Sequence, residues 1–282
     1  MNRLVLATIA SSALLLLAFA GASSKSASEP VAAPPSLVRE ARTITIGGTP
    51  EEWRLVWRDK PQPICQAQDI VDAATCPCEG VAYGEYGQLA LQRRQAGRVT
   101  DSLPLGPLFG GFAGDFDGHG GVPNGMIALR RKALELPDYQ LGESSPDKLA
   151  AVVAGRPDTV VMQFADYDRD GNASEFLLDV GTLPCGKLQF VAVGVSRDNP
   201  RLHAFGSLAH PDRPLSMPLQ AWQALLDARA PHRVVTWECG DHGSEFHTEL
   251  ELSAADGRIS AKQLSFACPV SPGGPPQETE VL

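Results

Sequence analysis

Apolar residues recur at every second position through much of the chain, the period of a strand with one buried face. Residues 43–46 read Thr-Ile-Thr-Ile, and a turn is predicted at Gly47-Gly48. The alternation resumes at 53–57 with Trp53, Leu55 and Trp57 on one side. Further strands are predicted at 88–93 and 99–105 around Ala96-Gly97, then at 160–164, 176–180 and 188–195. The last third adds 233–238, 246–252 and 259–267, with Asp256-Gly257 as a hairpin turn between the final two. Helical spacing is rarer. Leu219, Trp222, Leu225 and Leu226 share a face within 218–229, with Ser216 available as a cap. Ser145-Pro146 and Gly155 bracket a second helix over 148–154. Residues 126–136 fit either a strand or a helix. The expected fold is mainly β with a few short helices (α+β), built of antiparallel sheets as a sandwich or a propeller-like array. The lack of a clean internal repeat counts against a full regular propeller.

The N-terminus reads differently. Arg3 precedes an apolar stretch from Leu4 to Ala20, and small residues follow it, the layout of a secretory signal peptide cleaved near residue 22. The apolar run is short for a membrane span of about 20 residues. No cysteine follows it to carry a lipid, and no second stretch is apolar enough to span, so no membrane span is expected after cleavage. Residues 23–38 are rich in Ser, Ala and Pro and read as a flexible linker. The expected folded body is 39–269, a single β-rich domain that could subdivide near 105–110. Residues 270–282 carry Pro-Gly-Gly-Pro-Pro and acidic residues and read as a disordered tail. The expected location is secreted or periplasmic.

Export changes how the cysteines read. Cys65, Cys76, Cys78, Cys185, Cys239 and Cys268 are enough for three disulfides in an oxidising compartment, with the connectivity open. Cys239 and Cys268 flank one predicted β-meander and are the first pair to expect. Cys76-Pro-Cys78 lacks the C-x-x-C spacing of a redox motif. If Cys185 is bridged, it pins the chain just beyond the acidic loop described next. The formal net charge of -9 disfavours nucleic acid as a partner, since phosphate binding depends on Lys and Arg. It suits recruitment of divalent cations, although acidity also serves solubility.

The segment with the clearest chemistry is Asp166-Tyr167-Asp168-Arg169-Asp170-Gly171-Asn172-Ala173-Ser174-Glu175. Carboxylates at alternate positions of a tight loop can converge on one hard, oxygen-seeking cation. Gly171 permits the sharp turn, and the Asn172 carbonyl can add a ligand. The expected ligands of Ca2+ are therefore Asp166, Asp168, Asp170, Asn172 and Glu175. An EF-hand is excluded, because its twelfth position needs a bidentate Glu and holds Leu177 here. The predicted strand–loop–strand setting resembles the D-x-D-x-D-G calcium loops of FG-GAP/VCBS-type repeats over about a dozen residues. The family pattern is acidic at the ninth position, where this chain has Ser174; Ser174 then binds through water, or Glu175 substitutes. A second stretch, Gly114-Asp115-Phe116-Asp117-Gly118-His119-Gly120, resembles the opening of the same loop, but His119 at the third ligand position suits calcium poorly.

Two other places carry candidate chemistry. His242, Glu245 and His247 concentrate metal-capable groups without the H-E-x-x-H spacing, so zinc is disfavoured. Tyr83 and Tyr86 among the glycines of 80–87 could form a sugar-binding surface or a local packing plug. No G-x-S-x-G elbow is present to suggest a serine hydrolase. The expectation is an exported calcium-binding protein with a structural or interaction role and a protein or glycan partner. The alternative is a secreted metal-dependent hydrolase using the His242/Glu245/His247 region.

Overall fold

The alternating segments fold as antiparallel hairpins. The computed structural model describes residues 37–64, 84–109, 125–132, 146–183, 187–227, 231–271 and 273–282. Strands β1 (Leu37–Ile46), β2 (Thr49–Trp57), β5 (Leu89–Gln95) and β6 (Arg98–Pro104) form one sheet in the order β1-β2-β5-β6. A smaller sheet, β3-β4-β7, combines Gln62–Ile64, Gly84–Gly87 and Ile127–Arg130. Strands β8 (Glu175–Leu183), β9 (Lys187–Gly194) and β10 (His203–Ala204) make a third. The fourth runs β11 (His232–Trp237), β12 (Phe246–Ala255), β13 (Arg258–Ala267), β14 (Glu278–Val281). Two helices accompany them, α1 (Pro146–Ala154) and α2 (Leu219–Leu225). All these residues belong to one unit spanning 35–282.

The β8-β9-β10 sheet is buried on both faces, and this places the acidic loop. From one face Phe176, Leu178, Val180, Val191 and Val193 enter a core with Trp53, Leu55, Trp57, Leu89, Leu91 and Leu105. From the other, Leu177, Phe190 and Ala192 meet Trp222 and Leu225 of α2 and Leu250, Leu252, Ile259 and Ala261 of β12 and β13. Each fully buried aliphatic or aromatic side chain contributes roughly 1.5–3 kcal/mol of transfer free energy. Two apolar layers thus clamp one short sheet, and the loop leads into its first strand.

Several expectations are corrected. Residues 160–164 are not a ladder strand. Their backbone is served by a side chain instead, since Glu40 accepts from the amides of Val161 at 2.8 Å and Met162 at 3.3 Å. Alternation still buries Met162 and packs Phe164 on the core. Ser216 does not cap α2. The helix begins at Leu219, so the cap position is Pro218, which has no side-chain hydrogen bond, and Ser216 lies two residues too early. The terminal segment is not a loose tail: β14 pairs with β13, and the Leu282 amide donates to the Ala261 carbonyl at 3.1 Å. Without it, β13 would present an unpaired edge, and the two glutamates of β14 give the new edge its charge. The ambiguous 126–136 segment contains β7. Cys239 and Cys268 form a disulfide; Cys65, Cys76, Cys78 and Cys185 lie outside the described residues.

Candidate metal centre

The loop is a closed ring held by its own polar groups. Ala165 and Glu175 form a two-way bridge, their amides donating to each other's carbonyls at 2.8 and 3.2 Å. Between them, Asp166 accepts from the amides of Asp170 at 2.9 Å and Gly171 at 3.1 Å. Asp168 Oδ1 also accepts from the Asp170 amide, at 3.0 Å. Short carboxylates hydrogen-bonding backbone a few residues ahead are what make Asp a turn former. Arg169 and Gly171 take positive φ, 61° and 94°, where the chain reverses. Aromatic rings anchor the ends. Phe164 packs edge-on to Trp53 and Phe176 in one core, and Tyr167 edge-on to Trp222 in the other.

Three of the predicted ligands are brought together. Asp166, Asp168 and Glu175 each offer a carboxylate oxygen, and these oxygens lie within 4.8 Å of one another. Oxygens on opposite sides of a calcium ion, with Ca–O of about 2.3–2.6 Å, stand at about that separation. Asp170 is not part of this group. Asp170 Oδ1 accepts from the Asn172 amide at 2.7 Å and from Asn172 Nδ2 at 2.9 Å. Asp170 Oδ2 accepts from the Arg197 amide at 2.6 Å, and the Arg197 guanidinium reaches the Asp170 carbonyl. Asp170 is therefore engaged as the anchor of the loop to the chain beyond β9. Glu175, the first residue of β8, accepts from the Tyr167 amide at 2.7 Å. Ser174 Oγ lies 2.7 Å from Glu175 Oε1 and 2.9 Å from the Val195 carbonyl, with one proton for the two acceptors.

Two of the three carboxylates are shut away from water, while Asp166 is half-buried. Asp168 and Glu175 are both 0% exposed. Asp168 Oδ2 is buried and has no hydrogen-bond partner. Burial, then repulsion from Asp170, pushes the Asp168 carboxyl up to about 7. Burial, then repulsion from Asp168, raises Glu175 to about 8. Tyr167 is raised by burial and then by Glu175. These acids are therefore costly to ionise unless a positive charge joins them.

The other expected sites fare differently. His242, Glu245 and His247 do not converge: His242 pairs with Asp241, His247 with Glu249, each at 3.1 Å, and Glu245 is exposed. Among the described residues, the group at Asp166 is where three such side chains meet. The Asp115–His119 stretch and Tyr83 lie outside the described residues. Tyr86 sits inside β4, paired with Gln62 and Ala128, so it belongs to a sheet, not to a glycine-rich loop. Sequence reasoning missed three supports: Arg197, Gly194 and Gly257. A β-carbon at Gly194 would stand 2.2 Å from the Ser174 carbonyl, so only glycine lets the loop's exit pass this close to β9. No local motif marks Arg197 or Gly194, and the Asp256-Gly257 turn motif carries no sign of the loop it meets, since each acts on a loop distant in sequence.

No protein family and no solved structure matches the chain. A tRNA pseudouridine synthase A from Anoxybacillus flavithermus is 34% identical over 73 residues, which is 26% of this chain and 30% of that protein. The chain thus spans under a third of that relative's length.

Proposed function

We propose that the chain is an exported calcium-binding protein whose ion, held by Asp166, Asp168 and Glu175, fixes the loop that joins its two cores. The observation that carries this is the Asp168 carboxylate: fully buried, one oxygen without a partner, and grouped with two further acidic side chains. A buried anionic oxygen with no donor is costly, and a cation is the group that satisfies it. The donor set is all oxygen, which favours a hard ion over zinc. Magnesium keeps several of its waters, and the buried Asp168 and Glu175 carboxylates leave little room for them. The signal-like N-terminus supports export into a compartment where a weak site, with Kd of about 10⁻⁴–10⁻³ M, still fills. The resemblance of the loop to FG-GAP/VCBS-type calcium loops points the same way. The role is structural or in partner binding. The hydrolase alternative has no such support, because its histidines are spent on local pairs. The stretch resembling a tRNA pseudouridine synthase is too small a part of either chain to carry that activity over.

The test is calorimetric titration of the purified, EDTA-stripped protein with calcium, backed by terbium emission excited through Tyr167 and Trp222. One calcium per chain, displacing terbium and lost in Asp168→Asn, is the expected result. Absence of calcium binding, or equal binding by Asp168→Asn, would overturn the reading.

A further inference from the structure

The outer wall of the ion group comes from a distant part of the chain. β12 and β13 join through Asp256-Gly257, with φ of 50° and 78°, a two-residue turn in which both central residues are left-handed. The Gly257 amide donates to the Asp168 carbonyl at 3.0 Å. A β-carbon at Gly257 would lie 3.6 Å from Asp168 Oδ2 and 3.6 Å from the Asp170 β-carbon. The turn therefore covers the one carboxylate oxygen of the group that has no partner, and grips the same residue by its main chain. Few tethers hold the tip elsewhere: an exposed Arg258–Asp198 pair at 3.5 Å, and the Leu208 amide donating to the Ile259 carbonyl at 2.6 Å.

Resting on the calcium reading above, we infer that Gly257 is a positioning residue for the ion group, so that loading of the ion and seating of the β12–β13 tip are one equilibrium. Asp168 carries both halves of the coupling: its carboxylate belongs to the ion group and its carbonyl accepts from Gly257, so an ion that fixes the side chain also steadies the carbonyl by which the tip is held. Linkage makes the effect reciprocal: a tip that seats well raises calcium affinity by the factor by which calcium favours seating.

The fold supplies its own control. Ala96-Gly97, between β5 and β6, has φ of 47° and 77°, nearly the same turn, and a β-carbon at Gly97 meets nothing within 4 Å. Gly257→Ala and Gly97→Ala thus introduce the same backbone strain beside different neighbours. Calcium affinity is expected to fall about tenfold in Gly257→Ala, and to stay within about twofold in Gly97→Ala. In the parent protein, hydrogen exchange at the Gly257 amide should slow when calcium replaces EDTA, while the 96–97 turn is unchanged. Equal affinity in Gly257→Ala and parent, or equal weakening in both variants, would overturn the inference. So would calcium-independent exchange at Gly257, a measurement that needs no variant to fold. Failure of the parent to bind calcium at all would sink the calcium reading itself, which separates the two.

Discussion

The loop at 166–175 and the turn-and-strand at 241–249 carry comparable stocks of metal-capable side chains, yet they use them in opposite ways. In the loop, tight curvature turns alternate residues inward, and backbone amides fix each carboxylate before an ion arrives. In the second stretch, β12 is straight. Successive residues on one face stand about 6.6–7 Å apart, so His247 and Glu249 reach each other but need a third ligand from a neighbouring strand. The residues opposite them on β13 are Phe266 and Leu264, which offer none. His242 sits apart on a three-residue helical turn with φ of 50°, paired with Asp241. Metal-capable residues become a site through curvature and burial, and without these they neutralise one another at the surface.

Breaking the loop should have the largest effect. Calcium at about 100 times its Kd stabilises a native chain by about 2.7 kcal/mol, which for a chain of this size raises Tm by roughly 5–10 °C. Asp168→Asn should lose that entire rise in melts with calcium against EDTA. Without metal at alkaline pH, the same variant should be more stable than the parent, because it removes a buried charge.

The pH profile sharpens the contrast next. Asp168 and Glu175 hold protons in the metal-free fold up to about 7 and about 8, whereas the unfolded chain releases them near their ordinary values of 3.8 and 4.5. Between these limits the native state binds more protons, so its stability falls as pH rises from about 4 to about 8. Asp179, raised to about 7 chiefly by burial, acts with the same sign. On the proposed reading, calcium takes the place of the protons on the loop. The gap between calcium and EDTA melts should therefore widen with pH across this window, and a constant gap would contradict the assignment.

Asp170 separates anchoring from ligation. Asp170→Ala strands the amides of Asn172 and Arg197, and should cost about 1–3 kcal/mol in urea melts with and without calcium alike. A loss seen only with calcium would make Asp170 a ligand. The smallest effects belong to the other stretch. His242→Ala and His247→Ala should each change stability by less than about 0.5 kcal/mol and leave the melt insensitive to zinc. A zinc-dependent rise lost in His247→Ala would erase the contrast.

Much of the strand pattern was readable because alternation is local: Trp53, Leu55 and Trp57, or Leu250 and Leu252, announce their own buried face. The Ala96-Gly97 and Asp256-Gly257 turns were readable for the same reason, since turn chemistry needs only its own residues. Residues 160–164 misled because period 2 reports burial and not ladder pairing, and Glu40 took the place of a neighbouring strand. The end of the chain misled because polar, proline-rich composition carries no sign of a free edge waiting on β13.

The acidic stretch was nameable from the order of its residues, and that order named Asp170 beside Asp166, Asp168 and Glu175 with equal force. The role of Asp170 was not, because it depends on Arg197, which the fold brings in from beyond β9. Nor was the burial of Asp168, which depends on Gly257 arriving from the far end of a hairpin and on two cores closing around one sheet. Local chemistry was written in the order of the residues. Which oxygens were left buried without a partner was decided by packing between segments that the chain keeps far apart.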